Sequence, residues 1–309
     1  KIFPHTTLFR SERILNNQID SAFLDKLNGL HQLYRENHQL TEEIKVLQNS
    51  FSGDFDSNQQ VSIHLKDVAE AIRRDEFHPY LQAKWDIVTR KITGAEMLAR
   101  WIKVDGTVIG PYDFIDLIEN NDLIIPFSEG LIHKAMKVIA SIVHNQEPLF
   151  KLSINVSPYQ LVYQDLVTLL ESCCVEHNLM PQNIEVEIIE RTFIENNPKA
   201  IQQLFNLKAR GFGIALDDFG SGYSSLGCIV ELPIDTVKID RSLVKYVDAS
   251  DKSERLFRSI IAMMKRLDIA TVAEGIEKES QLKIIQDCGC DEGQGFLIHK
   301  PCQAALFTI

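Results

Sequence analysis

The sequence predicts an α/β protein whose main body is a (β/α)8 TIM-like barrel with an antiparallel first strand, preceded by a helical N-terminal segment. Three observations carry this reading. From residue 76 onward, eight short strand-like runs alternate with longer segments of helical character. Polar side chains, most of them acidic, sit late in those runs. The first two runs lie too close together for a parallel connection. Repeated β–α units argue for a parallel sheet, and eight of them argue for closure into a barrel.

The elements follow in chain order. Apolar residues at Phe23, Leu27, Leu30 and Tyr34, then at Leu40, Ile44, Leu47 and Phe51, step by three and four. That spacing suits an amphipathic helix. Asn37 and His38 interrupt the stripe, so it reads as two helical pieces or one imperfect coiled coil. Its apolar face either packs on its own domain or serves dimerisation or signalling. The polar stretch SFSGDFDSNQQ at 50–60 reads as a linker, and 67–74 as a short helix leading into the main domain. The chain thus divides into 1–74, a helical segment and linker that connects to a regulatory domain or remains from one, and 75–309, the barrel.

The eight runs are HPYLQA, TGAEML, FKLSINV, NIEVEII, FGIALDD, IDTVKID, DIATVAE and QGFLI. Intervening segments such as 198–210 and 252–266 are long enough for helices. Only 14 positions separate Gln82 from Glu96, with Thr93 and Gly94 between them. A parallel crossover needs roughly a dozen connecting residues or more, which do not fit. The first two strands are therefore expected to form a hairpin.

At 45% hydrophobic and 24% charged residues, the composition is globular rather than disordered. No apolar run reaches the roughly 18 residues of a membrane helix, and nothing near Lys1 reads as a signal peptide. A cytoplasmic piece of a longer protein is expected, its missing N-terminal region holding a regulatory domain or a membrane anchor. The net charge of −11, from 32 basic and 43 acidic side chains, argues against a DNA or RNA polymer as partner. Six cysteines, Cys173, Cys174, Cys228, Cys288, Cys290 and Cys302, form no paired CxxC pattern and read as reduced thiols.

The chemistry is expected at Glu96, Asn155, Glu187, Asp217, Asp218, Lys238, Glu274 and Gln294. All sit late in strand runs, and a barrel gathers its C-terminal strand ends on one face. In NIEVEII, Glu185 and Glu187 share the face opposite Ile184, Val186 and Ile188. Lys238 points away from the face of Val237 and Ile239. Carboxylates crowded together repel, and some would protonate unless a divalent cation is shared among them. Oxygen ligands without His or Cys favour Mg²⁺ or Mn²⁺ over zinc. Adjacent carboxylates such as Asp217 and Asp218 suit two ions acting together on a phosphoryl group.

These segments resemble the EAL phosphodiesterase family over about 76–309. PYLQ with GAEMLARW is similar to its opening motif, Glu96-Met97-Leu98 standing for Glu-Ala-Leu. LSINVSP, EIIE, DDFGSGYSSL, LPIDTVKIDRSLV, VAEGIE and CDEGQGFLIHKP match the remaining motifs in order. The resemblance implies two-metal hydrolysis of cyclic di-GMP to linear pGpG in bacterial second-messenger signalling, and a homodimer. It implies that Glu96, Asn155, Glu187 and Asp217 bind one metal and Asp217, Asp218 and Glu274 the other. Lys238 positions the attacking water, Gln82 and Arg100 contact substrate, and Gln294 assists at the rim. Glu190 steadies the loop 219–224. Three positions depart from the pattern: Met97 for Ala, Ala83 for a frequent Pro, and Ile189 for the usual Thr. Two other readings stand beside the enzyme: a non-catalytic cyclic di-GMP receptor or protein-interaction module, and a barrel enzyme acting on another phosphate ester.

Overall fold

The computed structural model describes residues 63–189, 197–221 and 226–309. The helical stripe and linker expected before residue 63 lie outside these residues, as do Glu190 and positions 222–224 of the loop. Ile63–Ile309 forms one compact unit. Helix α1 (Leu65–Arg73) buries Val68 and Ala71 in its core.

Strands β1 (Phe77–Asp86) and β2 (Ile92–Ile102) form the expected antiparallel hairpin, with Gln82 opposite Glu96. The turn falls at 87–91. Asp86 builds it: its Oδ1 accepts the backbone N–H groups of Val88 and Thr89 at 3.1 and 2.6 Å, and Arg90 takes a left-handed φ of 57°. Gly94 is needed elsewhere, because a Cβ there would collide with the Lys151 carbonyl on the next strand.

A two-residue strand, β3 (Val108–Ile109), pairs with the end of β2. The barrel continues through β4 (Lys151–Val156), β5 (Ile184–Ile189), β6 (Gly213–Phe219), β7 (Thr236–Ile239), β8 (Ala270–Ala273) and β9 (Glu292–Gly293). Neighbouring strands from β2 round to β9 are parallel. Strand β1 closes the ring, antiparallel to both β2 and β9. A short β10 (Cys302–Gln303) adds to β1. The last barrel strand thus precedes QGFLI instead of coinciding with it. The residues after Gln294 turn because their backbone groups bond elsewhere: Leu297 N–H donates to Ile276 and His299 N–H to Gly295.

Helices α2 (Ile115–Glu119), α3 (Ile124–Asn145), α4 (Pro158–Tyr163), α5 (Leu166–His177), α6 (Pro198–Ala209), α7 (Leu226–Glu231), α8 (Arg241–Val244), α9 (Asp251–Arg266) and α10 (Glu279–Cys288) surround the strands. Local chemistry sets their starts. Asn197 caps the N–H groups of Lys199 and Ala200, with Pro198 in the first turn. The Ser250 hydroxyl likewise caps α9. The strand faces toward the helices carry Leu152, Ile154, Val186, Ile188, Ile214, Leu216 and Val237, all without exposure. Phe77, Trp101, Phe114 and Phe127 interlock with ring centroids 5.0 to 6.4 Å apart, pinning the end of the hairpin. All six thiols are free. Among the described residues, no helix is long and apolar enough to cross a membrane.

Candidate active site at the barrel mouth

Strand alternation turns one face of every strand into the barrel, and the C-terminal ends bring their side chains to one mouth. At its centre lies Lys238 on β7, about 1% exposed. Its Nζ lies 2.8 Å from Glu187 Oε2, 2.9 Å from Glu274 Oε1, 3.2 Å from Asp217 Oδ1 and 3.4 Å from Glu96 Oε2. Asn155 donates through Nδ2 to Glu96 Oε1 at 2.9 Å, leaving its amide oxygen for another partner. Gln294 donates to Glu96 Oε2 at 2.7 Å and to Gln82 Oε1 at 3.1 Å, and Gln82 donates to the His299 carbonyl at 3.0 Å. Every predicted metal-site residue, with Gln82 and Gln294, is therefore in one cluster.

Asp218 needs a special backbone. The β6–β7 register breaks between Leu216 and Phe219, and Asp218 takes a left-handed φ of 57°. Such a kink re-aims a side chain at a strand end. It sets Asp218 beside Asp217 and Glu274, with one ligand oxygen from each within 4.8 Å of the others. Glu96, Glu187 and Asp217 form a second such triad, sharing Asp217. Arg100 stands apart. It shares the inward face of β2 with Glu96, four residues nearer the rim, where its guanidinium lies 5.5 Å from the Tyr80 ring centroid and donates to the Ala99 carbonyl. Glu190 lies outside the described residues.

The electrostatics follow from burial. Glu274 is pushed up to about 8 by desolvation, with Asp217 and Glu96 adding to the rise against Lys238. Desolvation likewise raises Glu187 well above the carboxylate range, and raises Asp218 with help from Asp217. Glu96 goes the other way. Burial would raise it, but Lys238 and the amides of Gln294 and Asn155 hold it low. The carboxylates raise Lys238 well above its usual range despite burial, so it stays an ammonium. One cation thus faces more carboxylates than it can neutralise. Glu187 Oε1 is also sealed from solvent with no hydrogen bond among the described residues. An all-oxygen donor set with an orphaned carboxylate oxygen fits hard divalent cations.

A pH response follows for the chelated protein. Glu274 moves from an ordinary 4.5 to about 8 on folding. Its contribution to stability is fully present below 4.5 and lost as pH rises through about 8, and Glu187 shifts in the same direction. Melting temperatures in excess EDTA should fall across that window, and Mn²⁺ should flatten the fall. A melting temperature that rises through the same window would contradict this account.

One layer deeper, the barrel holds a second polar group that sequence reasoning passed over. Lys84 donates to Ser153 Oγ and, at 2.7 Å, to Glu185 Oε2. The Ser153 and Thr236 hydroxyls donate to Glu185 at 2.7 and 2.9 Å. All four are buried. Lys84, with the Ser153 hydroxyl and the Lys151 charge adding to it, holds Glu185 down at about 2 against its burial. Lys84 Nζ also lies 3.9 Å from Glu187 Oε1, joining this layer to the mouth. The available signal was parity, since Glu185 shares a face with Glu187 and Lys84 with Gln82.

The family model described as the EAL domain matches residues 65–301. The signaling protein YkoW of Bacillus subtilis is 35% identical over 238 residues, which are 77% of this chain and 30% of YkoW. The cyclic di-GMP phosphodiesterase RocR of Pseudomonas aeruginosa is 30% identical over 235 residues, 76% of this chain and 60% of RocR. The chain therefore spans less than two thirds of the length of these relatives. The solved structure of the PaMucR phosphodiesterase in complex with c-di-GMP superposes with a TM-score of 0.72 at 29% identity, covering 78% of this chain and 97% of that one. With the family model matched along most of its length, and the motif residues gathered at one barrel mouth, the chain belongs to the EAL domain family.

Proposed function

We propose that this chain is a metal-dependent cyclic di-GMP phosphodiesterase that opens one phosphodiester bond to give linear pGpG. The observation that carries it is the pair of carboxylate triads sharing Asp217, with the Lys238 ammonium at their centre. Glu96, Asn155, Glu187 and Asp217 would hold one Mg²⁺ or Mn²⁺ and Asp217, Asp218 and Glu274 a second. When bound, the ions supply Lewis-acid polarisation of the phosphate and a more acidic water. Lys238 stays protonated, so it serves as a donor that orients the attacking water and meets developing negative charge. Glu274 and Glu187 fix the direction of that ammonium. Arg100 at the rim suits a phosphate through its bidentate fork, and Gln82 with Gln294 suits the nucleotide. Glu190 keeps its role at the loop in this reading. A regulatory domain upstream, a homodimer and a cytoplasmic setting complete it.

The direct test is chromatography of purified chain incubated with cyclic di-GMP and Mg²⁺ or Mn²⁺. Appearance of pGpG is expected. Excess EDTA should abolish turnover, and Ca²⁺ should inhibit, because its longer bonds and looser geometry misplace the reacting oxygens. Full turnover in EDTA would overturn the metal assignment, and hydrolysis of other phosphate esters in preference would overturn the substrate.

Ile189 favours the rival receptor reading, because it stands for the family's Thr beside Glu187. It pairs in register with Asp217. The missing hydroxyl would donate one hydrogen bond, worth about 0.5–1.5 kcal/mol, far less than a metal carboxylate. Ile189→Thr should therefore raise apparent metal affinity or rate by about tenfold, within the roughly 10–100-fold that groups supporting a metal ligand typically carry. A parent inert at saturating Mn²⁺ and rescued by Ile189→Thr would mark the natural chain as a receptor.

A further inference from the structure

One edge of β1 lacks a strand partner at the point where it carries Gln82. On that edge Tyr80 and Leu81 pair with β10, and Trp85 and Asp86 pair with β9. Among the described residues, no strand covers positions 82–84 between them. Ala83 is fully buried there. A buried N–H that meets neither a strand nor water needs another acceptor. His299 supplies it: the Ala83 N–H donates to His299 Nδ1 across a long 3.5 Å. Accepting at Nδ1 puts the ring proton on Nε2. Burial lowers the His299 pKa, so the ring is neutral near pH 7 and Nδ1 can accept.

His299 is held on its other sides as well. Its N–H donates to the Gly295 carbonyl at 2.9 Å, which closes the turn 295–299. Its ring meets the buried Phe307 ring edge to face, with centroids 5.4 Å apart. Its carbonyl accepts from Gln82 Nε2 at 3.0 Å. That contact fixes which way the Gln82 amide faces. Gln82 Oε1 accepts from Gln294 Nε2, which also donates to Glu96 Oε2. A flipped Gln82 amide would set two oxygens together at His299 and two N–H groups together at Gln294. The polarity of the relay thus depends on where the His299 carbonyl sits.

We propose, resting on the cyclic di-GMP reading above, that His299 is a positioning residue: its imidazole caps the open edge of β1 and so holds the carbonyl that orients Gln82 toward the nucleotide. Ala83 makes the cap possible. The proline that the family frequently carries at this position would have no N–H to donate. His299 acts through Gln82, one residue removed from the ligand. Its loss therefore weakens binding more than the chemical step.

Two substitutions separate the acceptor from the packing. His299→Leu keeps an apolar side chain against Phe307 and loses the acceptor. His299→Asn loses the ring but carries Oδ1 as many bonds from the backbone as Nδ1. Amide exchange at Ala83, followed by NMR on the full chain in EDTA, reads the cap without substrate. It should quicken by up to about tenfold in His299→Leu and stay near the parent in His299→Asn. With cyclic di-GMP and Mn²⁺, KM should rise about two- to tenfold in His299→Leu with kcat nearly unchanged, and His299→Asn should keep the parent KM. In a Gln82→Ala background, His299→Leu should add no further rise in KM. Unchanged exchange at Ala83 in His299→Leu would overturn the proposal. So would a KM impaired in His299→Asn but not in His299→Leu, or KM losses that simply add with Gln82→Ala. A parent inert toward cyclic di-GMP would overturn the substrate reading, and the exchange measurement, which needs no substrate, would still decide the cap.

Discussion

Lys238→Ala should lower kcat by about 10²–10³-fold or more, the range for losing one preorganised charged donor, while KM changes little. The ammonium lies within 3.4 Å of four carboxylates. In the proposed reaction it meets charge developing on the phosphate, so its loss should weigh on the transition state more than on binding. Lys238→Arg should not rescue, because a planar fork does not fit a space shaped around a point charge. Folding responds differently with and without metal. In EDTA the variant leaves Glu96, Glu187, Asp217 and Glu274 without their nearest cation, and the melting temperature should drop. At saturating Mn²⁺ the drop should largely disappear while turnover stays lost. Steady-state kinetics and thermal melts on the same samples check both halves. A loss of stability equal to the loss of rate with Mn²⁺ present would make Lys238 a structural residue.

The largest effect on stability is expected at Lys84. Lys84→Met removes one partner of a fully buried pair and leaves Glu185 charged in the barrel interior. Such a change costs roughly 3–5 kcal/mol. The double variant Lys84→Met/Glu185→Gln should recover most of that cost. It removes both charges while the Gln amide oxygen accepts from one of the two hydroxyls that donate to Glu185 in the parent, and its Nε2–H donates to the other, whose oxygen turns to accept. Urea denaturation should show a midpoint well below the parent for the single variant and close to it for the double. If the two losses simply add, Lys84 and Glu185 are not coupled and this account of the pair is wrong.

Which side chains face inward was legible wherever a strand was long enough to alternate. Glu187 and Lys238 could be aimed at the mouth because each lies between apolar residues facing out. The hairpin was legible from a distance too short for a crossover. Partners across the barrel were not. Parity places Lys84, Ser153, Glu185 and Thr236 on inward faces, yet nothing local says that the closed ring brings them together. Strands β3, β9 and β10 have two residues each, too few to show a period, so the last barrel strand was expected over QGFLI instead of Glu292–Gly293. The contacts of His133 with Cys173 and Glu176 were equally hidden, because only the packing of α3 against α5 brings them together.

The reversed direction of β1 sets where force can enter the barrel. If β1 ran parallel to its neighbours, the chain would join at the floor, and any mechanical input from upstream would have to cross the barrel to reach the substrate. Here Phe77 pairs with Trp101 at the rim, and the Trp101 indole is tied to Glu76. The covalent path from Ile63 through α1 reaches Gln82 after nineteen residues, counting from 63 to 82. From Gln82 the next rung of the hairpin is Glu96. A twist or tension applied ahead of Ile63 would thus be transmitted along a stiff two-stranded lever directly into Glu96, one of the carboxylates around Lys238.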